Sequence, residues 1–246
     1  MISFVDVKKS FGDKAVLAGV TFDVNQGEAF FIIGSSGVGK SVLIKQLVGL
    51  LKPDAGQIFV DGEDVTRFDE RRMYAVRKKC AMVFQHSTLF DSMTCAENVA
   101  LPLRKHRGLS PDDALVEATK LLERVHMERY ASSYPAELGD GMRKRVAIAR
   151  ALTLEPRCVL FDEPTTSLDP VSARRIDRLI RELADVMGVT SIVVSHDLHS
   201  IFGIADRVAM LYRGEVRALG TPDDLRRSTD AVVEQFVNGR STGPME

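Results

Sequence analysis

The sequence predicts an α/β fold in three parts: a central sheet, an antiparallel β region at the start of the chain, and a helical lobe inserted before the last strands. Three observations predict it. Short apolar runs recur, "AFFII" at 29–33, "CVLF" at 158–161 and "IVV" at 192–194, as in the buried strands of a parallel sheet. The first of these runs passes through a glycine-rich turn into a helix-forming stretch. From about residue 94 to 150 the β pattern stops and helical patterning replaces it.

Taken in order, Ile2 and Phe4 alternate with polar neighbours, "FGDK" makes a turn, and Val20, Phe22 and Val24 alternate again, which reads as antiparallel strands. "EAFFII" is a buried central strand, "GQIFVDG" a strand between turns, and "RKKCAMVFQ" ends in a buried strand from Ala81 to Phe84. The helical segment has breaks at Gly108, Ser110-Pro111 and Pro135. Pro170 opens a further helix with Ile176, Leu179, Ile180, Leu183 and Met187 on one face and Gly188 at its C′ position. "RVAMLYRGEVRALG" reads as a hairpin and "TPDDLRRSTDAVVEQFVNG" as short helices. Without repeats or linkers, residues 1–239 are expected to form one domain with a helical subdomain at about 94–150. The polar residues 240–246 are expected to be a disordered tail.

Composition narrows the function. The 33 basic and 34 acidic residues leave a net charge of −1, which gives no footprint for nucleic acid. The three cysteines, Cys80, Cys95 and Cys158, lack metal-ligand spacing and read as reduced thiols. "MISFVDVKKS" has no signal-peptide pattern, and no apolar run approaches the roughly 20 residues a membrane helix needs, so any membrane role is expected to run through a partner.

"GSSGVGKS" matches the phosphate-loop pattern G-x-x-x-x-G-K-[ST] after a predicted strand and before a predicted helix. Gly34, Ser35, Ser36, Gly37, Val38 and Gly39 wrap phosphates with backbone N–H groups, and the next helix aims its positive end at them. Lys40 reaches the β- and γ-phosphates, and Ser41 offers a hydroxyl to Mg²⁺. Val16 and Val42 are counted as further nucleotide contacts. In "CVLFDEP" two acids sit at the tip of a buried strand, the ligand face of such a sheet. Asp162 is the candidate magnesium ligand and Glu163 the candidate general base for an attacking water.

Those two motifs define a P-loop NTPase. The order phosphate loop, Gln85 in "MVFQ", "ELGDGMRKR", acidic pair, "TTSLDP", and His196 in "VVSHD" resembles the ATP-binding cassette (ABC) nucleotide-binding domain from Met1 to about Gly239. The resemblance implies a RecA-like core, ATP with Mg²⁺, and two chains packed head to tail. It also implies roles by position. Phe11 stacks on adenine, Gln85 senses Mg²⁺ and the attacking water, His196 contacts the γ-phosphate, and Asp169 reaches across the dimer. Gly139, Asp140 and Gly141 then stand in the signature that covers the partner copy's ATP, where Leu-Ser-Gly-Gly-Gln is usual. Gly139 removes a hydroxyl, and Asp140 is expected to turn away from phosphate and cap its own helix. The intact Lys40, Asp162, Glu163 and His196 predict a working ATPase.

"GSSGVGKSVLIKQLVGLLKPDAGQI" and "ELGDGMRKRVAIARAL" are most similar to the Mla-type ATPases of bacterial phospholipid transport. That resemblance implies a place on the cytoplasmic face of the inner membrane. It further implies a polytopic permease, an MCE-domain lipid-binding protein and a STAS-domain subunit. Arg143, Lys144, Arg145 and Arg150 also read as solvated helix charges. An amino-acid or small-metabolite importer is the alternative, and a ribosome- or DNA-directed ABC ATPase a more remote one. In either transporter, Phe90, Met93, Val99 and Leu101 are candidate permease contacts or lobe core.

Overall fold

A computed structural model of the protein describes residues 1–245; Glu246, the end of the tail expected to be disordered, lies outside the described residues. The chain opens with an antiparallel pair, β1 (Ile2–Phe11) and β2 (Lys14–Val24). The central strand β3 (Ala29–Ile33) follows, then α1 (Lys40–Leu47), β4 (Ala55–Val60) and β5 (Glu63–Asp64). The first sheet has the order β2-β1-β4-β5.

Next come α2 (Glu70–Lys79), β6 (Cys80–Val83), α3 (Cys95–Arg107), α4 (Pro111–Arg124) and α5 (Asp140–Ala151). The chain closes with β7 (Cys158–Asp162), α6 (Pro170–Asp185), β8 (Thr190–Val194), α7 (Leu198–Ile204), β9 (Arg207–Tyr212), β10 (Glu215–Gly220), α8 (Pro222–Arg226) and α9 (Ala231–Asn238). The second sheet runs β10-β9-β3-β8-β7-β6, parallel except for the β9–β10 hairpin.

Period-two alternation divides the interior. Phe31, Ile33, Val159, Phe161, Val193, Val208 and Met210 face one apolar cluster, shared with α3, α4, α5 and α6. Phe30, Ile32, Leu160, Ile192, Val194, Ala209 and Leu211 face the other, shared with α1 and the first sheet. The helical segment therefore packs on the central sheet through one continuous core. Its breaks are local: Gly108 closes α3 at φ 68°, Ser110 caps α4 ahead of Pro111, and Pro135 opens a single 3₁₀ turn.

Two expectations are corrected, and one open choice is decided. Met187 is 41% exposed, because α6 ends at Asp185 and the chain is already turning toward Gly188 (φ 63°). Of the four candidate contacts, Val99 is lobe core, fully buried on the inner face of α3 with Cys95 and Leu103; Met93 and Leu101 are partly buried, and Phe90 is half-exposed. Asn98 shapes the segment bearing Phe90: its amide oxygen accepts from the Phe90 N–H, and its nitrogen donates to the carbonyls of Phe90, Met93 and Thr94. Lastly, residues 240–245 fold back on the domain. The Tyr212 hydroxyl donates to the Pro244 carbonyl at 2.6 Å, and the Met245 N–H donates to Gln235 Oε1 at 2.8 Å. Among the described residues, no helix is long and apolar enough to cross a membrane.

Candidate nucleotide site

The loop between β3 and α1 has a backbone only glycine allows at two points. At Gly34 (φ 140°) an added Cβ would lie 2.4 Å from the Leu211 carbonyl oxygen, and at Gly39 (φ 106°) 2.7 Å from Leu17. Glycine thus lets the loop rest directly on β9 and β2. Lys40 opens α1 with 6% exposure, and its ammonium donates to the carbonyls of Gly34 and Ser35 at 2.8 and 2.9 Å. Burial pulls the Lys40 ammonium below its ordinary pKa, opposed by the carboxylates of Glu163 and Asp162.

Beside Lys40, the Ser41 hydroxyl donates to Asp162 Oδ1 at 2.5 Å, and the Lys45 ammonium stands 3.7 Å from Asp162 Oδ2. Asp162 is 4% exposed at the end of β7. Glu163 follows it in the left-handed conformation (φ 51°), a strain of about 1–3 kcal/mol for a non-glycine residue. Its N–H donates to the Val194 carbonyl, fixing it to the end of β8. The Thr166 hydroxyl donates to its carboxylate at 3.1 Å, and His196 Nδ1 lies 2.9 Å from the same oxygen.

These parts surround one cavity of about 800 Å³. Phe11, Val16, Gly34, Ser35, Ser36, Gly37, Gly39, Lys40, Ser41, Val42, Gln85, Glu163 and His196 all line it. Of the residues expected there, Val38 instead packs against the apolar cluster beneath the loop, and Asp162 sits behind Ser41. Phe11 is 48% exposed, so it is a cavity wall and not core. Three further lining residues were missed: Lys14, Thr166 and Phe236. Lys14 and Thr166 stand within three residues of predicted ones, so proximity could have found them. Phe236 has no local signal, because only the return of α9 brings it to the site.

Gly139, Asp140, Gly141 and Asp169 line a second cavity of about 290 Å³, and none of its lining residues belongs to the first. Ser172 and Arg175 of α6 complete it. Asp169 caps α6 by accepting from the N–H groups of Val171 and Ser172, both at 2.9 Å. Hydrogen bonding from Ser172 holds its carboxyl below the ordinary pKa. The expectation that Asp140 caps α5 is corrected. Gly139 is the N-cap, with φ −70° and ψ 161°, and Asp140 is the first helical residue. From there its carboxylate pairs with Arg143 one turn on. It still lies in the helix's first turn, where an acid suits the dipole.

The other cations of α5 are not solvated charges. Lys144 is 3% exposed and donates to the carbonyls of Phe84 and Gln85. Burial pulls its pKa down to about 8, against the opposing carboxylates of Asp140 and Asp162. Arg145 donates to the carbonyls of Val125 and His126, and Arg150 to those of Ser87 and Thr88.

Comparison with known proteins gives a consistent picture. The ABC transporter family model matches residues 17–166. The chain is 39% identical over 235 residues to the intermembrane phospholipid transport system ATP-binding protein MlaF of Haemophilus influenzae, covering 95% of this chain and 89% of that one. It is 41% identical over 216 residues to the methionine import ATP-binding protein MetN of Rhizobium johnstonii, covering 88% of this chain but 59% of that one. Among solved structures, an ATP-binding cassette captured as a dimer in a post-hydrolysis state with ADP and Pi matches with a TM-score of 0.82 at 33% identity, over 90% of this chain and 99% of that one.

Proposed function

The chain belongs to the ABC transporter family and is an ATP-hydrolysing subunit of that kind, and from that premise we propose that it drives phospholipid transport between membranes as a head-to-tail pair of identical copies. In this reading Phe11 stacks on adenine and the Gly34–Ser41 loop wraps the phosphates. Lys40 leaves the loop carbonyls to meet the β- and γ-phosphates. Glu163 takes a proton from the attacking water as its oxygen bonds to the γ-phosphorus and the bridging P–O bond breaks. His196 orients the Glu163 carboxylate through Nδ1 and leaves Nε2 toward the γ-phosphate. Gln85 places the water.

Ser41 and Asp162 suit a magnesium ion: a hydroxyl on the cavity wall is hydrogen-bonded to a buried carboxylate directly behind it, so that an oxygen ligand and a compensating negative charge stand together at the phosphate end. When bound, the ion neutralises charge on the phosphates. Gln85 adds an amide oxygen within the same cavity.

The observation that carries the pairing is the separation of the two cavities. The Gly139–Gly141 turn and Asp169 share no cavity with their own chain's phosphate loop. A second copy supplies them across the interface. Asp140 is then no obstacle to the γ-phosphate, because Arg143 neutralises it, and the N–H groups at the start of α5 stay available.

Phospholipid as cargo is supported by the match to the MlaF relative, which spans nearly all of both chains. The partners of this reading are a polytopic permease, an MCE-domain lipid-binding protein and a STAS-domain subunit, with the chain held peripherally at the cytoplasmic face of the inner membrane. The identity to the methionine import relative supports an importer as the second reading. Gentle detergent co-purification from native membranes, with mass spectrometry of proteins and lipids, tests both. A permease with an MCE-domain protein and phospholipid is the expected result, and an amino-acid permease overturns the cargo.

A further inference from the structure

The segment that leaves β6 carries Gln85 into the nucleotide cavity, yet little of its own structure holds it there. Outside the ladder of β6, and among the described residues, no backbone–backbone hydrogen bond involves residues 85–89. The Gln85 amide has no side-chain hydrogen-bond partner among the described residues either, and Gln85 is exposed. Its position is therefore set through its main chain.

That main chain is gripped from α5. Lys144 donates to the Phe84 carbonyl at 3.1 Å and, more closely, to that of Gln85. Six residues along the same helix, Arg150 donates to the Thr88 carbonyl at 3.0 Å, the Ser87 carbonyl at 3.3 Å and the Thr88 hydroxyl at 3.1 Å. Four carbonyls in a five-residue stretch are thus bound by two cations of one helix. That helix begins at the Gly139–Gly141 turn. Its first turn and its grip on Gln85 lie five residues apart on one rigid element.

We propose that Lys144 is a positioning residue for hydrolysis: it ties the loop bearing Gln85 to the helix that presents Gly139 and Gly141, so that the Gln85 amide moves with that helix. Charge-assisted bonds to carbonyls are roughly twice as strong as neutral ones, and three ammonium protons can serve two carbonyls together. An apolar side chain of similar length fills the space and leaves both oxygens unmet. Gln85 then keeps its side chain but loses its registration. The inference rests on the ATPase reading for what Gln85 does, and on the contacts alone for the tether.

Two measurements on the full-length chain test it. The first is ATP turnover against ATP concentration for wild type, Lys144→Met and Lys144→Arg. The expected result is a kcat lowered by about tenfold to a hundredfold in Lys144→Met, with KM for ATP held within about twofold, because misplacement affects the chemical step while the phosphate loop is untouched. Lys144→Arg, which keeps charge and donors, is expected to recover most of the loss. The second uses the absence of tryptophan from this sequence. His86→Trp puts a single reporter on the exposed residue between the two grips, and its fluorescence anisotropy is expected to fall when Lys144→Met is added.

Unchanged kcat, or kcat and KM worsening together with no rescue by Lys144→Arg, overturns the positioning role, and unchanged anisotropy overturns the tether. If Lys144→Met fails to fold, Lys144→Gln is read by the same two measurements and the same criteria. If wild type and Glu163→Gln turn over ATP equally slowly, the ATPase reading fails, and the anisotropy result still decides the tether.

Discussion

His196 Nδ1 lies 2.9 Å from Glu163 Oε2, so the carboxylate that would receive a proton from water is oriented by an imidazole from the next strand end. The Thr166 hydroxyl donates to the same oxygen, which leaves Oε1 as the less engaged acceptor. Glu163→Gln keeps the shape and removes the base. ATP turnover is expected to fall by about 10²- to 10⁴-fold, while equilibrium binding of a fluorescent ATP analogue stays within a few-fold. Retained turnover in a carefully purified variant would remove Glu163 from the mechanism.

The Ser41–Asp162 pair gives a prediction about metal. In Asp162→Asn the magnesium concentration for half-maximal turnover is expected to rise at least about tenfold, since a carboxylate ligand becomes a neutral one. Chelation of divalent ions should abolish turnover in wild type. A magnesium titration curve identical in wild type and variant would argue against Asp162 as the metal's holder.

The altered signature can be tested by putting a hydroxyl back. A Cβ at Gly139 meets nothing within 4 Å, and the extended backbone there suits serine as an N-cap. Gly139→Ser is expected to melt slightly higher and to hydrolyse ATP faster, by up to about tenfold for one regained charge-assisted bond. Gly141→Ala contrasts with it: its Cβ would stand 3.0 Å from Ser172 Cβ and 3.1 Å from Ser172 Oγ, so turnover should drop. Slower hydrolysis by Gly139→Ser would mean that this site is tuned to the bare backbone.

The cysteines offer a check on the interior. Cys80, Cys95 and Cys158 are all buried, and burial pushes the thiol of Cys95 up to about 11 and that of Cys158 well above its ordinary value. At pH 8 a thiol reagent is expected to label none of the three in the native protein and all three after denaturation. Fast labelling of native protein would place one of them on an opening segment.

The sequence made the cavity's chemistry legible because its parts are local. The phosphate loop, Asp162 with Glu163, and His196 each sit at the end of a short apolar strand, and parallel pairing of β7, β8 and β3 brings those ends together. The antiparallel hairpins and the helix breaks at Gly108 and Pro135 were legible for the same reason. Contacts between distant segments were not. Phe236 reaches the cavity only through the return of α9, and the cations of α5 look like solvent-facing charges until the carbonyls of residues 84–88 are seen beside them. Asp140 was misjudged by one position: a helix beginning one residue earlier makes Gly139 the cap and gives Asp140 a partner at Arg143.

The two cavities also bear on how activity scales. If each catalytic centre is completed by another molecule, dilute protein holds mostly half-sites, and the rate per molecule climbs with concentration before levelling off. Gathering two copies on one membrane complex replaces that chance encounter with a fixed local concentration. Throughput is then governed by how often the complex lets its two halves meet, and free ATPase drifting in solution idles.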